Sequence, residues 1–388
     1  MFYTDGVQTR VIAMGCGALG GNSSTGQCGD PTPIGGTFSG MFIGTLFGPT
    51  TNDLGDVLFY SEVVGGSSPR GLFLYRADTS DIVKVATVGD ISPLGGNLSA
   101  IGPGSINNNG WIVFLASTGG DGSQGSDILL WRNGVVTKYV ASGDAAPGGE
   151  IFEYVGFEFG GWPDGSIIPF GPVPAINNSN QIAFTAWTQS TSGHVVSQNG
   201  QHAWLVQEGD PAPGGGFHSL FRQAVSINDN GLVAFQSDLA PTPGGTNNDA
   251  AWFVGSPGQF RRALGFSDTL LDGVVVALAW SRNPFRPLDE DGNLSLWATR
   301  QLPDQSYRET VIVSAPNGTF EIIANESEAA QTGGTWAYLN RWVNSNDAHQ
   351  VQFGAEVAGN PNYSEAQFIA TRFVDLILQD GFENVAEP

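Results

Sequence analysis

Four aspartates recur at one place in a repeated loop. Gly29-Asp30, Gly89-Asp90, Gly143-Asp144 and Gly209-Asp210 each open a segment of the form Gly-Asp-x-x-Pro that closes on Gly-Gly. Carboxylates at equivalent points of successive structural units could hold a cation or a polyhydroxy ligand, and Ca2+, a hard cation with a preference for oxygen, is the ion that suits them. The same Asp can also fold its side chain back onto its own turn and need no ligand. No cofactor is otherwise predicted. Asp289-Glu290-Asp291-Gly292-Asn293 comes nearest to a calcium loop, but its Gly falls too early for an EF-hand.

A second group joins acids to aromatic rings. Glu153, Glu158 and Asp164 sit with Tyr154, Phe157, Phe159 and Trp162 in the longest insertion of the chain. Rings flanked by carboxylates can stack on a sugar and bond its hydroxyls. Tyr154, Phe157, Glu158, Trp162 and Asp164 are therefore the candidate ligand-binding residues. Two carboxylates at a channel mouth could also cleave a glycosidic bond, which keeps a glycoside hydrolase or lyase as an alternative. Nucleophilic catalysis has less behind it, because no Gly-x-Ser-x-Gly elbow occurs. No catalytic residue is assigned. Among His194, His202, His218 and His349 there is no His-x-x-x-His pair; His202 and His218 flank the Gly209–Gly215 loop as the one local pair.

These groups are positioned by a tandem repeat. Six segments share one pattern: Thr51-Asn-Asp-Leu-Gly55, Ile106-Asn-Asn-Asn-Gly110, Ile176-Asn-Asn-Ser-Asn180, Ile227-Asn-Asp-Asn-Gly231, Leu288-Asp-Glu-Asp-Gly292 and Ser345-Asn-Asp-Ala-His349. Gly, Asn and His at the fifth position tolerate a left-handed backbone, so a tight turn with positive φ is expected at each. Successive turns lie 55, 70, 51, 61 and 57 residues apart, the length of a four-stranded blade with variable loops. After each turn comes a largely apolar run such as Trp111-Ile-Val-Phe-Leu-Ala116, the mark of a strand buried on both faces. Hairpins follow, signalled by Asn133-Gly134, Asn199-Gly200 and Asn317-Gly318 between strand-like runs.

The chain opens with a hairpin and a Gly-Asp loop, whereas its last copy stops short. The expected fold is thus all-β, a single β-propeller of four-stranded antiparallel blades closed by strands from both termini. Six blades are expected, with seven as the alternative if the opening hairpin starts a blade of its own. The propeller spans residues 1–375 and a tail spans 376–388.

Composition agrees. Gly 55 and Pro 22 stand beside 40% hydrophobic and 13% charged residues, a turn-rich and strand-rich profile. A net charge of −22 repels phosphate backbones and anionic lipid, so nucleic acid is not an expected partner. The longest apolar run, Val274 to Trp280, is strand-sized and rules out a helical membrane span. Cys16 and Cys28 lie in a Gly/Ser loop with no core to bury thiols, so a disulfide is expected, worth roughly 3 kcal/mol. That implies an oxidising compartment, outside the cell or on its surface, with any signal peptide removed from this numbering.

The Ile227-Asn-Asp-Asn-Gly-Leu-Val-Ala-Phe235 strand alternating with Gly209-Asp-Pro-Ala-Pro-Gly214 is similar to repeats of uncharacterised exported bacterial β-propeller proteins, over roughly residues 7–373. The tail Leu378-Gln-Asp-Gly-Phe-Glu383 resembles short Asp-Gly-Phe-Glu endings of exported proteins. The resemblance implies export and attaches no activity. The leading expectation is a non-enzymatic surface or extracellular scaffold that binds glycan or protein at one propeller face. The alternative to it is a self-assembling subunit whose tail, through Phe373, Leu376, Leu378 and Phe382, is donated as an edge strand to the next copy.

Overall fold

Each of the six turns bends where the sequence places its permissive residue: φ is 83° at Gly55, 71° at Gly110, 59° at Asn180, 76° at Gly231, 79° at Gly292 and 55° at His349. The hairpins Asn133-Gly134 and Asn199-Gly200 have both residues at positive φ, the geometry whose twist matches the flanking strands. The computed structural model describes residues 2–4, 9–15, 29–41, 48–118, 127–156, 159–161, 167–169, 172–221, 225–241, 249–278, 286–330, 333–359 and 365–372. Among these residues every regular element longer than a turn is a strand. The fold class is a six-bladed β-propeller, with six antiparallel sheets of blade type following one another along the chain.

Two compact units divide these sheets, one formed by residues 1–268 with 280–285 and the other by 269–279 with 286–388. The first holds blades 1 to 4. Blade 2 is the simplest, with Ala100–Ile106, Ile112–Ser117, Asp127–Arg132 and Val135–Val140 paired in chain order. In blades 1, 3 and 4 the first strand comes in two pieces that pair with the same second strand: Thr37–Met41 with Thr50–Thr51, Tyr154–Val155 with Ala175–Ile176, and Phe217–Leu220 with Ser226–Ile227. Loop sequence enters at the break while the sheet keeps its register.

The core of this unit lies in the seams between blades. Ile112–Ser117 is buried at every residue, without alternation, because both faces of the strand meet a neighbouring sheet. One seam joins Leu58, Tyr60, Leu72 and Leu74 of blade 1 to Ile112, Phe114 and Trp131 of blade 2. The next joins Leu115 and Ile128 to Phe152, Phe184 and Val195 of blade 3. The third sets Ala183 and Val206 of blade 3 against Phe221, Phe235 and Phe253 of blade 4.

In the second unit, blade 5 comprises Thr269–Leu270, Gly273–Leu278, Leu294–Gln301, Tyr307–Ser314 and Phe320–Asn325. Blade 6 comprises Thr335–Ser345, Gln350–Ala358 and Glu365–Thr371. Their seam packs Trp297, Val311 and Val313 against Trp336, Leu339 and Phe353. At the other end of the chain, Phe2–Thr4 pairs with Thr9–Val11. No helix among the described residues is long and apolar enough to cross a membrane, which says nothing about crossing by strands.

Candidate functional site

The Asn turns are joined to one another. In each, the second residue is an amide whose Oδ1 accepts N–H groups of its own turn: Asn107 takes those of Asn109 at 3.1 Å and Trp111 at 3.0 Å. Its Nδ2 points onward to the next blade. Asn52 donates to the Asn107 carbonyl at 3.1 Å, Asn107 to that of Asn177 at 2.9 Å, and Asn177 to that of Asn228 at 2.9 Å. The third residue runs a parallel ladder. The N–H of Asp53 reaches Asn108 Oδ1 at 2.9 Å, that of Asn108 reaches Asn178 Oδ1 at 2.7 Å, and that of Asn178 reaches Asp229 Oδ1 at 2.6 Å. Asn52, Asn107, Asn177 and Asn228 are buried, so these bonds replace water and fix each blade against the next. The repeated Asn was visible in the sequence, but its partner, a backbone carbonyl about one blade further on, was not.

The Gly-Asp loops also fold around their own groups. In blade 2 the N–H of Gly89 meets Leu98 O, the N–H of Leu98 meets Asp90 O, and the carboxylate of Asp90 accepts the N–H of Thr87 at 2.8 Å. Asp144 does the same for Ala141 at 2.9 Å and Asp210 for Gln207 at 2.8 Å, while Asp30 takes the N–H of Met14 at 2.8 Å. Lys84 and Lys138 lie across Asp90 and Asp144 at 2.9 and 2.7 Å. Of the four candidate metal ligands, Asp90, Asp144 and Asp210 thus each close their own turn, whereas Asp30 ties its loop to Met14, sixteen residues earlier. No cluster of three or more His, Cys, Asp or Glu that could hold a metal occurs among the described residues.

At the edge of blade 3, Tyr154 is 38% and Ile151 is 57% exposed. Tyr154 lies directly across the strand pair from Trp187, a residue that no local pattern singles out because it ends a different strand. Beside them the Glu150 carboxyl accepts hydrogen bonds from Thr188 and Ser190, which hold its pKa below the usual carboxylate range. Two aromatic residues, the partly exposed Trp187 among them, an acid and the exposed Ser190 therefore group at this edge, with Thr188 buried behind them. Of the other candidates, Phe157, Glu158, Trp162 and Asp164 lie outside the described residues, as do Cys16 and Cys28 and the tail residues Phe373, Leu376, Leu378 and Phe382.

The histidines pair differently from their sequence spacing. His202 enters the seam between blades 2 and 3, with its ring 5.6 Å from Phe152, 6.0 Å from Phe184 and 6.4 Å from Tyr139. His218 is set with His194 instead, on the opposite seam, where both rings meet Phe221 and Phe235. Burial pushes His194 down to about 3, with a contribution from His218, and burial pushes His218 down to about 4, so both are neutral. Asp127 moves the other way. Burial raises its carboxyl to about 6, against the opposing bond from the Ser142 backbone.

Blade 5 contains a buried cation that no motif announced. Arg300 Nε donates to Thr310 Oγ1 at 3.0 Å, Nη2 to Asn325 Oδ1 at 2.7 Å, and Nη1 to Leu270 O at 3.4 Å and to the carboxylate of Asp272. Asn325 continues to Glu328 Oε1 at 2.7 Å. The hydrogen bond from Arg300 holds the Asp272 carboxyl below its ordinary value.

Among known proteins, the model of a family of unknown function, DUF7453, matches residues 18–196 and again residues 160–384. No curated protein matches the sequence. Solved structures similar to the chain include a protein of Thermus thermophilus described as a glucose dehydrogenase-type oxidoreductase, at 12% identity and TM-score 0.32, with 85% of this chain and 99% of that one covered. A protein of Lactobacillus plantarum matches at 10% identity and TM-score 0.31, covering 78% and 91% of the two chains. The α-L-arabinofuranosidase of Podospora anserina, in complex with cellotriose, matches at 13% identity and TM-score 0.27, covering 70% and 89%.

Proposed function

We propose that this chain, which belongs to the DUF7453 family of unknown function, is an exported, non-catalytic propeller that binds glycan at the exposed edge of blade 3 and acts as an extracellular or cell-surface scaffold. The observation that carries the reading is the grouping of Tyr154 and Trp187 across one strand pair beside Glu150, Thr188 and Ser190. An aromatic face contributes area to a sugar ring at little entropic cost, and the carboxylate and the Ser190 hydroxyl offer bonds to its hydroxyl groups. Rigid strands hold the rings in place, while the loops around them supply variety. Export is supported by the resemblance to exported repeat proteins, and a surface of strong negative charge suits a neutral polysaccharide better than an anionic one.

A polysaccharide panel read by affinity electrophoresis and calorimetry tests this. Tyr154→Ala and Glu150→Gln are each expected to weaken binding about tenfold, equivalent to about 1.4 kcal/mol. Wild-type protein that binds no member of the panel, or variants that bind as wild type does, would remove the reading. A reducing-end assay on the same mixtures separates binding from cleavage, and new reducing ends would establish a hydrolase or lyase instead.

A further inference from the structure

Two seam positions that other blades fill with hydrocarbon are imidazoles where blade 3 meets blade 4. The residue eight places after the loop Asp, or after its Glu328 counterpart, is Phe38, Leu98, Phe152 and Trp336 in four blades and His218 in blade 4. His194, opposite Thr185 on the second strand, occupies the place that Leu72, Ile128, Trp252 and Val311 take opposite Tyr60, Leu115, Gln236 and Trp297. Both histidines are buried. The Phe221 ring lies between them in contact with each, its centroid 4.9 Å from that of His194 and 5.9 Å from that of His218. Nδ1 of His194 is 3.1 Å from Thr185 Oγ1, and Nδ1 of His218 is 2.9 Å from Ser237 Oγ. Nε2 of His194 has no hydrogen-bond partner among the described residues.

Protonation in place is opposed at both rings. A new N–H at His194 Nε2 would have no acceptor among the described residues, burial disfavours the charged form of each ring, and the second imidazolium would sit against the same phenyl ring as the first. The groups that could compensate are engaged elsewhere. Ile182–Trp187 has no titratable side chain, and His202, on the fourth strand of blade 3, turns to Tyr139, Phe152 and Phe184. Glu208 accepts from Ser192 Oγ at 3.2 Å, and Asp210 accepts the N–H of Gln207. In blade 4, Asp249 and Asp268 bind Arg262, Arg261 stands opposite Val254, and the Asp238 carbonyl accepts from Ser237 Oγ at 2.7 Å.

We propose that the seam between blades 3 and 4 is an acid-operated opening, in which protonation of His194 and His218 separates the two blades while blades 1 and 2 stay closed. Above about pH 6.5 both rings are neutral, open or closed, and the seam has its full stability. As pH falls, the open form takes up protons that the closed form cannot, and the equilibrium moves toward opening.

Hydrogen exchange of the full chain, corrected for intrinsic rates, reads the opening directly. Between pH 7.5 and 4.5 the amides of Ser192–Gln198 and Phe217–Leu220 are expected to gain about 5000-fold in opening equilibrium, while Ile112–Ser117 gains far less. His218→Phe, which installs the residue found at positions 38 and 152, is expected to cut that response to about a hundredfold. Equal acceleration in all three segments, or a full response in His218→Phe, would overturn the proposal. Nitrogen-15 shifts of the wild-type rings give a test that needs no variant. Both rings remaining neutral in the closed form at pH 5.5 supports it, and either ring titrating near 6.5 with the seam still protected overturns it.

Discussion

In blades 1 to 4 the second residue of the turn is Asn, and in blades 1 to 3 its amide is handed on to the next turn. At the same place blade 5 has Asp289, which has no proton to hand on. Its Oδ1 takes the N–H of Asn293 at 2.8 Å, and its Oδ2 takes Asn293 Nδ2 at 2.8 Å and the guanidinium of Arg372 at 3.5 Å. Blade 6 returns to Asn346, but there the turn is exposed and its Nδ2 bonds Gln350 of the same turn at 2.9 Å. The third-residue ladder persists only as Glu290 N–H to Asp347 Oδ1, at 3.2 Å. The second unit relies instead on long side chains: Arg300 in its buried network, Arg372 across Asp289 and Glu321, and Trp297 Nε1 donating to Leu339 O at 2.9 Å. One sequence pattern therefore supports two kinds of seam, one held by a repeating Asn ladder, the other by Arg372 and the Trp297 indole beside a few backbone bonds such as Ser345 N–H to Arg286 O at 2.8 Å.

The largest expected effect of breaking this contrast is in the second unit. Arg300→Met leaves Asn325 and Thr310 buried with fewer partners, and denaturant unfolding is expected to show a loss of about 4 kcal/mol confined to the transition of that unit. In the first unit, Asn107→Ala removes acceptors for two N–H groups and a donor for the Asn177 carbonyl, and should cost about 3 kcal/mol. Asn346→Ala, the same change on an exposed turn, should cost less than about 1 kcal/mol. Equal losses at Asn107 and Asn346 would erase the distinction between the two kinds of turn.

A smaller effect depends on pH. Asp127 titrates near 6 in the folded chain, above its value when unfolded, so its share of stability is present below about pH 4 and lost as pH rises through 6. Asp127→Asn, neutral at every pH, is expected to be about 2 kcal/mol more stable than wild type at pH 8 and no more stable at pH 4, as read from thermal melts across that range. Smallest of all, Lys84→Ala and Lys138→Ala break exposed ion pairs to Asp90 and Asp144. Each should change stability by less than about 0.5 kcal/mol, and by nothing measurable in high salt.

What could be read in the sequence was whatever the repeat made periodic. Gly, Asn and His at the fifth turn position announced six left-handed turns, and the apolar runs behind them announced strands buried on both faces, because both properties belong to the residue and its immediate neighbours. Six sheets followed from six turns. The ladder of Asn52, Asn107, Asn177 and Asn228 was not legible, since each bond joins residues that only the fold brings together. Sequence spacing sets His218 beside His202 because both flank one loop, but the two side chains lie on different sheet faces, His202 toward Phe152 and Phe184 and His218 toward Phe221 and Phe235, where it meets His194 instead. Arg300 and Trp187 carried no local signal at all. Their roles come from partners on other strands.

The amides of Asn52, Asn107 and Asn177 and the backbone N–H groups of Asp53, Asn108 and Asn178 all give protons to the turn that follows, while Asn108 Nδ2 also bonds back to Asp53 Oδ2 at 2.6 Å. A repeat with such polarity behaves as a cassette. Suppose an additional blade were spliced between residues 110 and 176, with its own Asn in the second place. It would accept from Asn107, give to Asn177 and leave every existing group as well matched as before. Gain or loss of a whole blade is thus neutral for the turns, whereas the loss of one amide within a blade is not. In such an array the number of blades can change more readily than the composition of any one of them.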